Sequence, residues 1–426
     1  MATTETTKSA GPQNNITETY VEKVLKADKG NDAQLTSWSI KDFTQKGDNY
    51  ATVVTSVSVN FSLHGQNQSV SYVVKINPQR DLGKDFSDMF GAIFRKEAEF
   101  YEKIIPLLNS ELTTLGLRQL RMAKWYYSFL EEGREMIFLE DLRPRGYQMF
   151  DRRKGMDVPH ATLVLQELAR MHAASRFLQA RTPDQDLLDK FKTIKTDWLN
   201  CTDSGGQMFH NMISTHFSIA EELLHKVEGY EVAEQWIIKN KGDCSSILAS
   251  QLMRNAKFDV ICHGDCWNNN LLFRYNEVGD PVEVILLDLQ MNRVASLATD
   301  LNYLLYTSLH GKDRKAHVYD YLASYYEAFT KVMEAGGKDS TFTLPELHQE
   351  YKNKQEYGVI FGLFTVGVML AEGNDIPDMD EFKEVEIPKL MEVLRQRTHE
   401  LIESNPLFRS RFLAVFDEMN EEGTTT

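Results

Sequence analysis

Cysteine is scarce: Cys201, Cys244, Cys262 and Cys266 are all there are in 426 residues. So few thiols make no disulfide framework, and the fold has to be held by buried apolar surface in a reducing compartment. Basic residues are also in deficit, 47 Lys and Arg against 62 Asp and Glu, for a net charge of −15. An acidic surface disfavours broad binding to nucleic acid or to anionic membranes, which need a basic face. Long apolar runs are missing too. The most apolar stretch, Tyr357 to Leu370, falls short of a membrane span and reads as a buried helix. The first residues, Met1-Ala-Thr-Thr-Glu-Thr-Thr-Lys, carry neither the apolar core of a signal peptide nor an Arg-rich transit pattern. A cytoplasmic protein without membrane insertion is the expectation. No tandem repeat and no G-x-x-x-x-G-K-[ST] phosphate loop occurs.

Hydrophobic content of 42% and charged content of 26% are ordinary for a globular chain, and the length suits two lobes rather than one core. Residues 1–16 and 421–426 are expected to be disordered tails. Residues 17–141 read as a small β-rich lobe. A helix spans Ile16 to Lys29. Tyr50 to Phe61 and Val70 to Ile76 alternate as adjacent antiparallel strands about a turn from Leu63 to Gln68, a helix runs from Phe94 to Leu108, and Lys124–Leu130 and Glu135–Glu140 are strands. Residues 142–420 read as a larger, mostly helical lobe, with helices predicted over Thr162–Leu178 and around Val318–Val332. A capping-box start is predicted at Thr343-Leu-Pro-Glu346. Its one strand-like break lies between Leu271 and Asp288. The fold class is α+β.

The chemistry concentrates in Val260-Ile-Cys-His-Gly-Asp-Cys-Trp-Asn-Asn-Asn-Leu-Leu-Phe and in Val284-Ile-Leu-Leu-Asp-Leu-Gln. Asp265 and Asn270 share a loop, and Asp288 ends a short apolar run. An Asp that accepts a proton from an attacking hydroxyl, with an Asn and a second Asp holding magnesium, suits phosphoryl transfer from a nucleotide. Ordinary turn chemistry also collects Asp and Asn, but not this ordered trio between strands. Lys75, ending Val70-Ser-Tyr-Val-Val-Lys-Ile, can point inward toward nucleotide phosphates. An isolated lysine at a strand end is otherwise usually just solvated, and the carboxylate-bearing helix about twenty residues on favours the first reading. Its carboxylate partner is Glu97, with Glu99 as the rival, about 200° away on the same helix. Lys46-Gly-Asp-Asn-Tyr-Ala51, with Gly47 and Asn49, stands where a phosphate-covering turn belongs, and reads equally well as a plain β-turn.

Other polar residues read as structural. His263 pins the loop through hydrogen bonds, His172 is a satisfied core histidine, and Asp300 is an N-cap. Cys262, His263 and Cys266 lack the second ligand pair of a zinc site.

In combination, His-Gly-Asp265-x-x-x-x-Asn270, Leu-Asp288-Leu-Gln and Asp300-Leu resemble the aminoglycoside and choline kinase-like phosphotransferases. Lys96-Glu-Ala-Glu-Phe-Tyr-Glu-Lys-Ile-Ile-Pro, Phe138-Leu-Glu-Asp-Leu, Leu168-Ala-Arg-Met-His-Ala-Ala-Ser and Cys262-His-Gly-Asp-Cys-Trp-Asn-Asn-Asn narrow the resemblance to the ecdysteroid kinase-like, or CHK kinase-like, branch. It covers roughly residues 35–400. The resemblance implies a two-lobe protein-kinase-like fold and ATP-dependent phosphorylation of a small-molecule alcohol, an ecdysteroid or other lipophilic alcohol foremost. A monomer is expected, though no residue pattern reads out the oligomeric state. Carried over by position, Asp265 would be the catalytic base, Asn270 and Asp288 ligands of Mg2+, and Lys75 with Glu97 the pair that positions ATP phosphates. Glu140 to Leu142 would lie at the lobe junction, where backbone groups receive adenine. The sequence departs from the family with Cys266 in place of Leu and Leu289 in place of Phe; both should pack behind the loop. Helices between Asp186 and Lys257, carrying Trp198, Met208, Phe209, Met212 and Phe217, with the segment after Lys338, are expected to build the acceptor pocket. Two alternatives remain: an inactive kinase-like binding protein, and a metallophosphoesterase. The second lacks its downstream histidines, the nearest text being Gly373-Asn-Asp.

Overall fold

The computed structural model describes residues 11–43, 52–78, 84–195, 199, 204–370 and 387–424. The expectations at Gly47 and Asn49, at Trp198 and for the Met208 side chain lie outside the described residues.

The first lobe is built on a five-stranded antiparallel sheet in the order β1-β2-β3-β5-β4. Its strands are β1 (Gln34–Asp42), β2 (Val53–Leu63), β3 (Gln66–Ile76), β4 (Trp125–Phe129) and β5 (Met136–Glu140). The turn expected over Leu63–Gln68 is tighter than that. Leu63 pairs directly with Gln66, and His64 and Gly65 both take positive φ, 51° and 77°. That left-handed pair matches strand twist, so the ladder runs to the tip. Strand β1 was not anticipated, because a register shift between Leu35 and Ser37 breaks its alternation. Helix α1 (Glu18–Lys29) is capped by Thr17, ends at Gly30 and buries Val21, Val24 and Leu25. Tyr20 stacks on Phe129 at 3.8 Å between ring centroids. Ahead of it Pro12–Asn15 forms one 3-10 turn inside the expected tail, anchored by buried Ile16.

The helix expected over Phe94–Leu108 starts at Lys84 and is not continuous. It comprises α2 (Lys84–Glu99), a π-turn over Phe100–Ile104 and α3 (Ile105–Thr114). Pro106 has no N–H to give to the carbonyl one turn back, and its ring crowds that carbonyl. The wider turn just before it absorbs both.

The second lobe starts with β6 (Gln148–Met149) and α4 (Val158–Arg181). Next come α5 (Leu187–Lys190), α6 (Lys192–Lys195), α7 (Ser204–Leu224), α8 (Glu231–Asn240) and α9 (Cys244–Gln251). Strands β7 (Asp259–Cys262), β8 (Leu271–Tyr275), β9 (Pro281–Leu286) and β10 (Arg293–Ser296) follow. The chain closes with α10 (Leu297–Ser308), α11 (Gly311–Ala335), α12 (Leu344–Asn353), α13 (Gln355–Leu370), α14 (Ile387–Ser404), α15 (Pro406–Ala414) and α16 (Asp417–Thr424). Strand character is therefore not confined to Leu271–Asp288. β7 pairs with β10, and β6 joins β8 and β9 in a small sheet. β7 and β10 are four residues long and buried throughout, too short and too uniform to show a period.

Thr343 and Glu346 close a reciprocal capping box at the start of α12. Helix α13 is buried against α10 and α7, and no described helix is long and apolar enough to cross a membrane. The expected disorder from 421 gives way to α16. Arg314, buried and stacked over Tyr306 at 3.9 Å, gives two 2.7 Å bonds to Glu418, and Asn420 accepts from the Ala233 amide at 3.0 Å. Those long-range ties hold α16 against the rest of the lobe.

Candidate active site

β7 delivers the chain into the loop His263–Asn270, and Gly264 permits the turn. Its φ is 82°, and a Cβ there would stand 2.0 Å from the Met291 carbonyl oxygen. Gly264→Ala therefore adds left-handed strain of about 1–3 kcal/mol to a backbone clash. It is expected to lower Tm by several degrees and to displace Asp265, measurable by thermal unfolding and by lost turnover.

Beyond Gly264, the loop folds back on itself. Asn270 Nδ2 donates both to the Asp265 carbonyl at 2.9 Å and to Asp265 Oδ2 at 2.8 Å. Tyr303 Oη donates to Asp265 Oδ1 at 2.5 Å. Burial and the nearby charge of Asp288 push the Asp265 carboxyl up to about 7, against the pull of these two hydrogen bonds and of Arg293.

Asp288 arrives at the end of β9. The Leu287 amide donates to the Asn270 carbonyl at 2.9 Å and ties the two segments together. Asp288 itself has φ 60° and ψ 61°. A non-glycine residue held in this region costs roughly 1–3 kcal/mol, and such strain clusters at functional sites. Lys75 Nζ reaches across from β3 to donate to Asp288 Oδ1 at 2.7 Å and to Glu97 Oε2 at 2.5 Å. Burial alone would lower the Lys75 ammonium; Asp288 and Glu97 hold it above its ordinary value. Burial raises the Glu97 carboxyl, while Lys75 and the Leu289 amide work to lower it. Lys75 stays charged between two carboxylates. Glu99 turns away, accepting from Lys103 at 2.9 Å and from Thr193.

The fold thus gathers Lys75, Glu97, Asp288, Asp265 and Asn270. Glu140 and Leu142 stand at the end of β5, the strand whose Ile137 pairs with Lys75. The Glu140 amide is already committed to the Lys124 carbonyl at 2.8 Å, and the Leu142 carbonyl accepts from Arg145 at 3.1 Å. Cys266 and Leu289 are fully buried. Phe217 packs beside Trp236 in the core, whereas Phe209 meets Phe361 and Phe364 of α13.

Asp300 is not an N-cap. Ser296 caps α10, and Asp300 lies inside its first turn, among twelve consecutive buried residues. It accepts from the His263 amide at 2.6 Å, the Gly264 amide at 2.8 Å and His172 Nε2 at 3.1 Å. His172 Nδ1 meets Tyr325 Oη at 2.7 Å. Burial would raise the Asp300 carboxyl, but His172 and the loop amide hold it below the usual range. The signal in the sequence was an acid inside an apolar stretch, which has to have partners. His172, Cys262 and Asp300 lie close together, yet their hydrogen bonds are spent on one another, on the hydroxyls of Tyr325 and Thr299 and on the backbone. Burial pushes the Cys262 thiol up, away from a ligating thiolate. Sequence reasoning also missed Tyr303 and Arg293, whose partners come from distant elements.

A family model described as the ecdysteroid kinase-like family matches residues 46–337. None of the curated proteins matches the chain. Among solved structures it is similar to an ethanolamine kinase of Plasmodium vivax, with 13% identity and a TM-score of 0.40 over 92% of this chain and 90% of that one. It is also similar to a thermostable mutant of the aminoglycoside phosphotransferase APH(4)-Ia in its apo form, with 11% identity and a TM-score of 0.32 over 95% and 100%. Likenesses so remote say nothing about substrate. The family match runs from just before β2 to just past α11 and so takes in both lobes: the chain belongs to the ecdysteroid kinase-like family, and is a kinase-like phosphotransferase.

Proposed function

We propose that this protein transfers the γ-phosphoryl group of ATP to a hydroxyl of a lipophilic alcohol, an ecdysteroid or a related steroid or xenobiotic. The observation that carries the reading is Lys75 bridging Glu97 and Asp288, with Asp265 close enough to feel the charge of Asp288. In this reading Glu97 holds Lys75 extended toward the phosphates, and Asp265 accepts the proton of the incoming hydroxyl. Catalysis is then mostly positioning and charge neutralisation.

The residues fit Mg2+. Asn270 and Asp288 offer hard oxygen donors, and Glu97, Asp265 and Asp288 concentrate negative charge that Lys75 alone does not balance. When bound there with the nucleotide, the ion supplies charge neutralisation at the phosphates. Glu140 and Leu142 would face adenine from the end of β5. The aromatic rings of Tyr303, Phe361, Phe209 and Phe364, linked ring to ring away from Asp265, support an apolar acceptor. A small-molecule alcohol handled by a cytoplasmic monomer belongs to the same reading.

Asp288→Asn is expected to weaken Mg2+-dependent nucleotide binding by about tenfold or more, roughly 1.4 kcal/mol, while binding without Mg2+ changes little. Calorimetry with and without the ion reads this directly. The decisive experiment incubates the protein with ATP, Mg2+ and a panel of steroid and xenobiotic alcohols and looks for phosphate adducts by mass. Nucleotide binding without any adduct would favour an inactive binding protein instead.

A further inference from the structure

Asp265 already has a hydroxyl resting on it. The Tyr303 phenol donates to Oδ1 at 2.5 Å, and Asn270 occupies Oδ2 at 2.8 Å. The contact at Oδ1 is of the kind an acceptor alcohol makes as it hands over its proton: a short O–H donor on the same carboxylate oxygen. Nor is the phenol there by chance of a loose side chain. Tyr303 is buried on α10, and its ring lies 4.8 Å from Phe361 and 6.2 Å from Tyr357 of α13, centroid to centroid. Tyr357 is anchored in turn, its hydroxyl accepting from Arg293 Nη1 at 2.9 Å. Elements β10, α10 and α13 thus converge to hold one phenol against one carboxylate oxygen.

Resting on the phosphotransferase reading above, we propose that Tyr303 is a specificity-determining residue whose hydroxyl keeps Asp265 Oδ1 occupied until an acceptor alcohol takes its place, denying that oxygen to water. Two nucleophiles compete for the γ-phosphorus. In either case a bond forms from the nucleophile's oxygen to phosphorus. The bond from phosphorus to the β–γ bridging oxygen breaks, its electron pair leaving on ADP, and the proton of the nucleophile goes to Asp265. Water gives ADP and inorganic phosphate; an alcohol gives ADP and a phosphate ester. An acceptor held by the surrounding apolar wall has binding energy with which to displace the phenol, and a single water has none. Burial and Asp265 also keep the phenol protonated, so it remains a donor and does not become a competing base.

The test needs no identified acceptor. Full-length wild type, Tyr303→Phe, Tyr303→Leu and the double variant Tyr303→Phe/Asp265→Asn are supplied with ATP and Mg2+ alone, and release of ADP and phosphate is followed. Nucleotide binding to each is measured by calorimetry. Tyr303→Phe is expected to hydrolyse ATP about tenfold faster than wild type at unchanged KM for ATP. Tyr303→Leu should show the same rise, and the double variant should lose it. A tyrosine that only fills space would leave hydrolysis unchanged or lower it along with Tm, and that result overturns the proposal. Absence of Mg2+-dependent ATP binding to wild type overturns the phosphotransferase reading itself, and the proposal with it. Equal binding with no rise in hydrolysis overturns the proposal alone.

Discussion

Asp265→Asn is expected to cut phosphoryl transfer by two to four orders of magnitude, roughly what a positioned general base contributes, while ATP still binds. The amide cannot take the proton, yet it leaves Lys75, Glu97 and Asp288 untouched. The same substitution should show up in stability. The folded Asp265 carboxyl sits at about 7 against an ordinary 3.8. A value raised on folding favours the fold fully below about 3.8, and that contribution is lost as pH rises through about 7. At pH 8 the wild type without nucleotide carries an ionised, desolvated carboxylate that the variant lacks. Asp265→Asn should therefore gain in Tm relative to wild type between pH 4 and pH 8, a shift that thermal scans at the two ends measure. Activity should show the complementary limb, kcat/KM for ATP in the presence of an active acceptor falling as pH drops below about 7 because a protonated Asp265 accepts nothing. Near-normal turnover in the variant would remove Asp265 from its role.

Asp300→Ala should do more damage to the molecule and comparable damage to the rate. It strips the acceptor from two buried backbone amides, those of His263 and Gly264, and from His172. Leaving buried donors unsatisfied costs about 1–3 kcal/mol each, and breaking a buried hydrogen-bonded charge about 3–5 kcal/mol in all. The loop that aims Asp265 would lose its brace, and a displacement of about 1 Å is enough to cost about a hundredfold in rate. Thermal unfolding and turnover should fall together, which separates this brace from Asp265, where turnover falls and Tm at pH 8 does not. A variant with unchanged Tm and unchanged turnover would show that the loop holds its shape without Asp300.

Some of this was open to reading along the chain. The pairing of β2 with β3 follows from two β-branched runs around His64-Gly65, and the start of α12 from Thr343 and Glu346, because neighbours in sequence settle both. Gly264 and Asp265 sit together in a turn for the same reason. What failed was either too short to have a period, as in β7 and β10, or bent by a single residue, as where Pro106 forces the π-turn. The stretch from Glu421 reads as unstructured, yet residues up to Thr424 belong to α16, whose Glu418 and Asn420 find partners in Arg314 and Ala233, remote in sequence.

By itself the sequence determined the order of the chemistry: an Asp and an Asn spaced along one loop, a second Asp closing a strand, a lysine inside another strand, and a net charge of −15. Residue type and short spacing carry that information, since they govern which groups a loop or strand presents. The tertiary structure alone decided which of them meet. Lys75 and Asp288 are 213 positions apart, Tyr303 reaches Asp265 from helix α10, and Asp300 grips a loop 36 residues upstream. A hydrogen bond reaches only about 3 Å, so contacts of that kind exist only once the chain has packed, within the second lobe for Asp265 and Asp300 and between the lobes for Lys75.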